Sequence, residues 1–472
     1  MKVAVIGAGA AGMTAAYSLV KHNIEVDVYE ASSRIGGLAG TLTLWNQKVD
    51  IGPHRFFSTD KKVNALWLEV VGKDYEMIDR LTRIYYKNKF YSYPIRIFNA
   101  LSNLGIFEAG QCVFSYLLER ISATEQDGSF ETWVQHRFGK RLFEVFFKNY
   151  TEKLWGISCK DLDADFAAQR IKKLSLYESI KNAVLNGKGN KHKTLVDQFA
   201  YPLGGSGMVY ERMADAVRNS GNNIHLNTPV YRIITNRGKI LGIELEDGSF
   251  REYDHVISSM PYTLMVKRLT EVPETIRHLA EHLKFRNTVL VYLQINSTSL
   301  FPDNWLYIHS TDLQMGRVTN FRNWIPGLYG NEEKTIIAIE YWCNDDEPMW
   351  RYNDEDFVKL ASDEIARTGL VSPDLIENGY VHRIHRSYPI YSKGYKEILK
   401  PIEEYISSIE NLSVVGRYGA FKYNNQDHSI LMGLLAAENI LNNANHQLCD
   451  INTDYETYQE SFIITKTGLY KQ

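Results

Sequence analysis

Residues 2–6 (KVAVI) form a short apolar run rich in Val and Ile, and residues 26–29 (VDVY) read as a second buried strand that stops at Glu30. Both have the look of parallel strands covered on two faces, and residues 13–22 between them carry helical spacing. Residues 41–50 (TLTLWNQKVD) alternate as one strand does. From about 97 to 185 the apolar positions recur at helical spacing with few β-branched runs, which predicts an inserted helical unit. The period then changes: an amphipathic helix at 208–219, a strand at 224–234, a hairpin at 240–250 around Asp247–Gly248, and a buried strand at 255–259. Runs rich in Val, Ile, Tyr and Trp at 289–295, 305–309 and 335–341 predict a mixed sheet. A last strand at 412–415 and a helix at 430–442 return to the first pattern.

These elements predict an α/β chain whose Rossmann-like unit is discontinuous, built from 1–92, 195–265 and 405–445. A helical insertion occupies 93–194, a mixed-sheet substrate unit 266–404, and a tail 446–472. Several domains are expected of 472 residues with 44% hydrophobic content. With 53 basic against 56 acidic residues, no global field favours nucleic acid or an anionic membrane. The basic run 187–193 (GKGNKHK) reads as a solvated loop. Cys112, Cys159, Cys343 and Cys449 have neither metal nor disulfide spacing, so no metal site is expected and a reducing compartment suits them. The chain opens on a strand without a signal-like leader, and its apolar runs fall short of a membrane span. A cytoplasmic enzyme without a transmembrane segment is the expectation.

The first chemistry lies in G-A-G-A-A-G. Gly7 permits a tight turn, Gly9 lets backbone approach a pyrophosphate, and Gly12 lets the following helix pack on the strand. The N–H groups of Ala10 and Ala11 open that helix and face the phosphates. Glu30 stands about 20 residues beyond, where an acid accepts the ribose hydroxyls. The next segment, A-S-S-R-I-G-G (Ala31, Arg34, Gly36, Gly37), resembles the second glycine motif of glutathione-reductase-like FAD proteins. FAD is therefore expected rather than NAD. Gly204 to Gly207 lacks a strand–helix setting in this reading, so NAD(P)H could serve only as a transient reductant at the flavin face.

The run V-V-G-R-Y-G-A-F-K-Y-N-N-Q-D-H-S-I-L-M-G at 414–433 closely resembles the C-terminal flavin motif of UDP-galactopyranose mutases. G-P-H-R-F-F-S at Gly52, F-Y-S-Y-P-I at Phe90, F-F-K-N-Y-T-E-K-L-W-G at Phe146, Y-P-L-G-G-S-G at Tyr201, W-L-Y-I-H at Trp305 and S-Y-P-I-Y at Ser387 match in the same order. The resemblance extends to bacterial FAD proteins related to protoporphyrinogen oxidases and amine oxidases. For a mutase it implies interconversion of pyranose and furanose forms of a nucleotide sugar, with N5 of reduced FAD as the nucleophile.

By that resemblance, His54 lies beside the flavin with Gly52 and Pro53, and Lys148, Arg417, Tyr388 and Tyr423 contact the diphosphate. Tyr93 packs on the base with Arg96 nearby, and Trp155 reads as packing. Val230, Gly416, Asn425, Gln426, Asp427 and Ser429 complete the flavin site. Two departures stand out: a second phosphate-binding arginine is matched by Asn296, and Arg96 replaces an amide facing uracil. The alternatives are an oxidoreductase passing hydride from substrate to flavin, and a non-catalytic flavin-binding protein. Oligomeric state and covalent attachment of FAD are open at this point.

Overall fold

The computed structural model describes residues 1–93, 95, 97–122, 125–165, 198–451 and 462–471. Its first layer is a five-stranded parallel sheet, ordered Leu412–Val414, His255–Ser258, Lys2–Ile6, Glu25–Tyr29 and Asn223–His225. Val3, Val5, Val26, Val28 and Ile257 are fully buried, as the apolar runs require of a sheet covered on both faces. The helices Ala10–Val20, Gly207–Asn219 and Gln426–Asn442 pack on it through one apolar core. Where the first and last of these cross, a Cβ on Gly433 would lie 2.4 Å from the Ala11 carbonyl oxygen. Glycine there lets the two ends of the chain touch.

The second layer is a seven-stranded mixed sheet, ordered Ile376–Pro389, Phe285–Ile295, Thr335–Cys343, Arg317–Asn320, Trp305–Ile308, Thr82–Tyr86 and Lys89–Ser92. Its one parallel pairing joins Trp305–Ile308 to Thr82–Tyr86. The apolar strands Phe285–Ile295 and Thr335–Cys343 form the buried centre. A three-stranded antiparallel sheet (Val230–Asn236, Lys239–Leu245, Phe250–Glu252) stands beside the parallel sheet, against His255–Ser258. Helices Ile97–Leu104 to Asn149–Trp155 agree with the helical reading. The expected helices beyond residue 165 in that insertion lie outside the described residues.

Several expectations are corrected. Residues 41–50 are a hairpin, Thr41–Leu44 with Gln47–Asp50, because Trp45 and Asn46 both take positive φ (47° and 61°), as a two-residue hairpin turn demands. The expected strand 224–234 is two strands in different sheets, broken where Asn227 turns at φ 51° ahead of Pro229. Thr82–Tyr86 and Lys89–Ser92, expected with the cofactor unit, hydrogen-bond into the mixed sheet. Ile376–Pro389 (IENGYVHRIHRSYP) escaped notice because an edge strand with solvent on one side needs no apolar run. Residues 446–472 hold a strand pair, Phe462–Thr465 with Gly468–Lys471, anchored by Tyr75 Oη donating to the Thr465 carbonyl at 2.6 Å.

The G-G-S-G turn does stand between a strand (Gln198–Pro202) and a helix (Gly207–Asn219), contrary to expectation. That strand pairs antiparallel with Tyr75–Asp79, outside the parallel sheet. A Cβ on Gly205 or Gly207 would come within 2.7 Å of Thr41. The glycines accommodate the Thr41 hairpin, so this is no second dinucleotide turn.

Candidate active site

A cavity of about 1000 Å³ runs from the first glycine turn to the mixed sheet. Its first end is made of backbone. Gly7 turns at φ 98° and donates to the Tyr29 carbonyl at 2.8 Å, while Gly36 N–H donates to the Ala8 carbonyl at 2.8 Å. The two glycine motifs thus pack together: a Cβ on Gly37 would lie 3.0 Å from the Gly9 Cα. Gly12 sits behind the wall, where a Cβ would meet the Gly7 carbonyl oxygen at 2.0 Å. Ala10, Ala11, Glu30, Ala31, Gly36 and Gly37 line the cavity.

Glu30 accepts from Ala8 N–H and Ser32 N–H, both at 2.8 Å. A carboxylate has further lone pairs for two ribose hydroxyls. Arg34 is exposed and forms no part of the wall, a departure from its assigned role. Side chain-free glycines, an acid at a strand end and a helix N-terminus on one channel are the donor set an adenosine diphosphate moiety requires, so the residues fit FAD.

The second end is made of side chains. Pro53 and His54 stand on one wall, with Gly52 behind them at φ 95°. His54 Nε2 lies 2.7 Å from the Ile51 carbonyl. A carbonyl only accepts, so Nε2 carries the proton and Nδ1 keeps its lone pair. Burial, then the charges of Arg417 and Arg317, pull the imidazole pKa down to about 3. His54 is a neutral acceptor throughout the physiological range.

Opposite, Tyr388 and Tyr423 stack with centroids 5.6 Å apart, and the Arg417 guanidinium lies 5.3 and 5.2 Å from the two rings. Arg417 donates through Nε and Nη2 to the Asn424 carbonyl at 2.9 and 2.6 Å, with no carboxylate partner among the described residues. Trp155 is fully buried edge-on to Tyr388, a packing role as expected. Tyr93 stands at the wall 4.6 Å from the Tyr307 ring. Val230, Gly416, Asn425, Gln426, Asp427 and Ser429 all line the cavity, the last four at the N-terminus of Gln426–Asn442. Arg96 lies outside the described residues.

Lys148 is not in the site. It ends a π-helical turn whose Val145 and Phe146 face the core, which leaves position 148 exposed. Asn296 is likewise exposed, at the far end of its strand. Arg55, Arg80 and Arg268 also line the cavity, and Arg317, which sequence reasoning missed, is the cation that stands with Arg417 near His54. It pairs with Glu340 through Nε and Nη2, each contact 2.6 Å. The available signal was Glu340 itself: a lone acid in T-I-I-A-I-E-Y-W-C needs a cation on a neighbouring strand.

A buried network holds the His54 turn. Asp50 accepts from Thr41 Oγ1 at 2.6 Å, Tyr201 Oη at 2.7 Å and Ser206 N–H at 3.0 Å, and burial lifts its pKa to about 6 against those bonds. Ser206 Oγ and Gln426 Nε2 donate to the His54 carbonyl at 2.7 and 3.2 Å, and Tyr210 Oη donates to Gln426 Oε1 at 2.8 Å. Gln426 therefore joins the C-terminal segment to the His54 turn.

A two-motif FAD cavity closed by both ends of the chain defines a flavin-dependent enzyme class. The sequence profile described as flavin containing amine oxidoreductase matches residues 10–441, and the chain belongs to that family. It is 23% identical to the coproporphyrinogen III oxidase of Staphylococcus aureus (strain NCTC 8325 / PS 47), over 93% of this chain and 98% of that protein. A probable UDP-galactopyranose mutase of Klebsiella pneumoniae is 27% identical over 34% of this chain and 43% of that protein. A crystal structure of reduced UDP-galactopyranose mutase superposes with TM-score 0.85 at 20% identity, over 96% of each chain. The protein is an FAD-dependent member of a family that includes both oxidases and mutase-like folds.

Proposed function

We propose that this flavoenzyme is a sugar-nucleotide mutase, interconverting pyranose and furanose forms without net oxidation. The observation that carries the reading is Arg417: a guanidinium with only carbonyl partners, set against two stacked tyrosines beside the cofactor channel. Such a cation is offered to an anion, and a nucleoside diphosphate leaving group supplies one.

When bound, reduced FAD supplies a nucleophilic N5; the chain supplies position and charge. Arg417 would take the diphosphate, assisted by the hydroxyls of Tyr388 and Tyr423. Arg317, its Nε and Nη2 taken by Glu340, would offer its remaining N–H donors to the sugar-side phosphate oxygens. Tyr93 and Tyr307 would stack on the base. His54, neutral and proton-bearing at Nε2, would present Nδ1 as acceptor on the flavin side. NAD(P)H would reduce the flavin transiently. A cytoplasmic step feeding polysaccharide biosynthesis is the corresponding setting, and the cofactor unit, helical insertion and mixed-sheet substrate unit would divide these tasks.

The test is anaerobic incubation of dithionite-reduced and oxidised holoenzyme with UDP-, GDP- and dTDP-sugars, reading ring form by chromatography. Ring isomerisation by the reduced form alone is expected. The second reading, hydride transfer from substrate to flavin, draws on the nearly full-length similarity to an oxidase. Bleaching of the oxidised flavin by substrate, with steady oxygen uptake on aeration and no ring isomer, would establish that reading and end the first.

A further inference from the structure

The helix Ile106–Ile121 (IFEAGQCVFSYLLERI) has its polarity reversed. Its inward side carries Cys112 and Glu119, both buried, and Ser115, whose Oγ accepts from Arg141 N–H at 3.0 Å. Glu108 pairs inward with Arg141. The contact is close, since a Cβ on Gly139 would lie 2.7 Å from Tyr116 N. Its outward side is apolar: Ile106 is 96% exposed, Phe107 80%, Phe114 64% and Ile121 83%, with Val113, Leu117 and Leu118 also open.

At roughly 150–250 Å² for a large side chain, these seven residues expose on the order of 900 Å². The largest apolar patch on a typical monomer is about 300–600 Å². Covering the patch in two copies would bury area of the size found in stable dimers, about 1,200–2,000 Å² in total.

The spacing says what covers it. Phe107, Gly110, Phe114, Leu117 and Ile121 advance in alternating steps of three and four, the seam of a helix that packs on another helix. Gly110 allows close approach of the partner. A bilayer is disfavoured, because the helix carries one basic residue, Arg120, whereas interfacial helices are rich in Lys and Arg.

We propose that a second copy of this chain covers the face, the two helices packing antiparallel about a two-fold axis near Phe114. Phe107 of each copy then lies against Ile121 of the other, an isologous contact that closes on itself. The inference is independent of the reaction catalysed.

The experiment is light scattering and sedimentation of the FAD-loaded full chain over a concentration series. Wild type should have the mass of a dimer. Phe114→Glu should halve it, weakening association about 100-fold or more, with flavin absorbance unchanged because position 114 is exposed in the protomer and lies outside the cavity. Should Phe114→Glu fail to fold, Ile121→Lys gives the same readout, and Phe114→Cys should form an intermolecular disulfide across the axis on mild oxidation. A monomeric wild type, a dimer untouched by either charge, or a monomer that floats with phosphatidylcholine–phosphatidylglycerol vesicles through this face would overturn the proposal.

Discussion

The two ends of the cavity are built by different means. At the adenosine end, glycines and peptide N–H groups from one stretch, residues 7–37, do the shaping. At the reacting end, His54, Arg317, Tyr388, and Arg417 with Tyr423 arrive from four separated segments. Backbone shaping demands fixed glycine spacing, so it leaves a local signature; side chains converging through sheet register leave none. The first end is therefore more exacting toward substitution, and the second more open to change of substrate.

The sharpest contrast is expected from Gly12→Val. Its side chain would overlap the Gly7 carbonyl, which the missing Cβ already approaches at 2.0 Å. FAD retention should be abolished, read as the ratio of flavin to protein absorbance; a holoenzyme-like ratio would remove the backbone account of this end.

At the other end, Arg317→Met should retain the flavin site yet lose about 3–5 kcal/mol of stability, because it strands Glu340 in the interior. The Arg317→Met/Glu340→Leu pair should regain most of that loss in denaturant unfolding. If the double variant is no better than the single, Arg317 matters for something other than its ion pair.

Glu30→Ala removes the acceptor for Ala8 and Ser32 N–H and for the ribose. FAD should bind about 10–100-fold more weakly by fluorescence titration, corresponding to roughly 1.4–2.7 kcal/mol.

His54 tests the charge of the reacting end. Its native pKa of about 3 lies below the ordinary histidine value, so the unfolded chain takes up a proton that the folded one refuses. Its contribution to stability is complete above pH 6.5 and is lost as pH falls from there toward 3, with a slope of up to about 1.4 kcal/mol per pH unit. His54→Gln should flatten the fall of melting temperature between pH 6.5 and 4. An unchanged acid limb would mean that His54 protonates freely in the fold.

The smallest effect is expected at Lys148. Exposed and outside the cavity, it should tolerate Lys148→Ala with less than about a twofold change in turnover and stability, as exposed charges generally do.

Lys148 and Arg317 also show what the sequence could reveal. Lys148 stood in a matching motif, but a π-helical turn directs its neighbours Val145 and Phe146 inward and leaves it in solvent. Arg317 stood in the unremarkable R-V-T-N and became visible only when register set it opposite Glu340. The parallel sheet, both glycine motifs and the final flavin segment were legible because each rests on apolar runs or local spacing. The polar edge strand Ile376–Pro389, which delivers Tyr388, had no such pattern to offer. Nor could periodicity alone divide 41–50 into a hairpin, since the turn depends on the φ of Trp45 and Asn46.

The central claim is that an anion held by Arg417 is delivered to reduced flavin beside a neutral His54, with no net redox change. Its most direct test is to add a nucleotide-sugar panel to dithionite-reduced holoenzyme, quench with cyanoborohydride, and weigh the extracted flavin. A mass increase equal to one reduced sugar less one water, with release of the nucleoside diphosphate and loss of both in Arg417→Met, is the predicted result. Unmodified flavin with every sugar nucleotide, together with substrate-driven reduction of the oxidised enzyme, would contradict it.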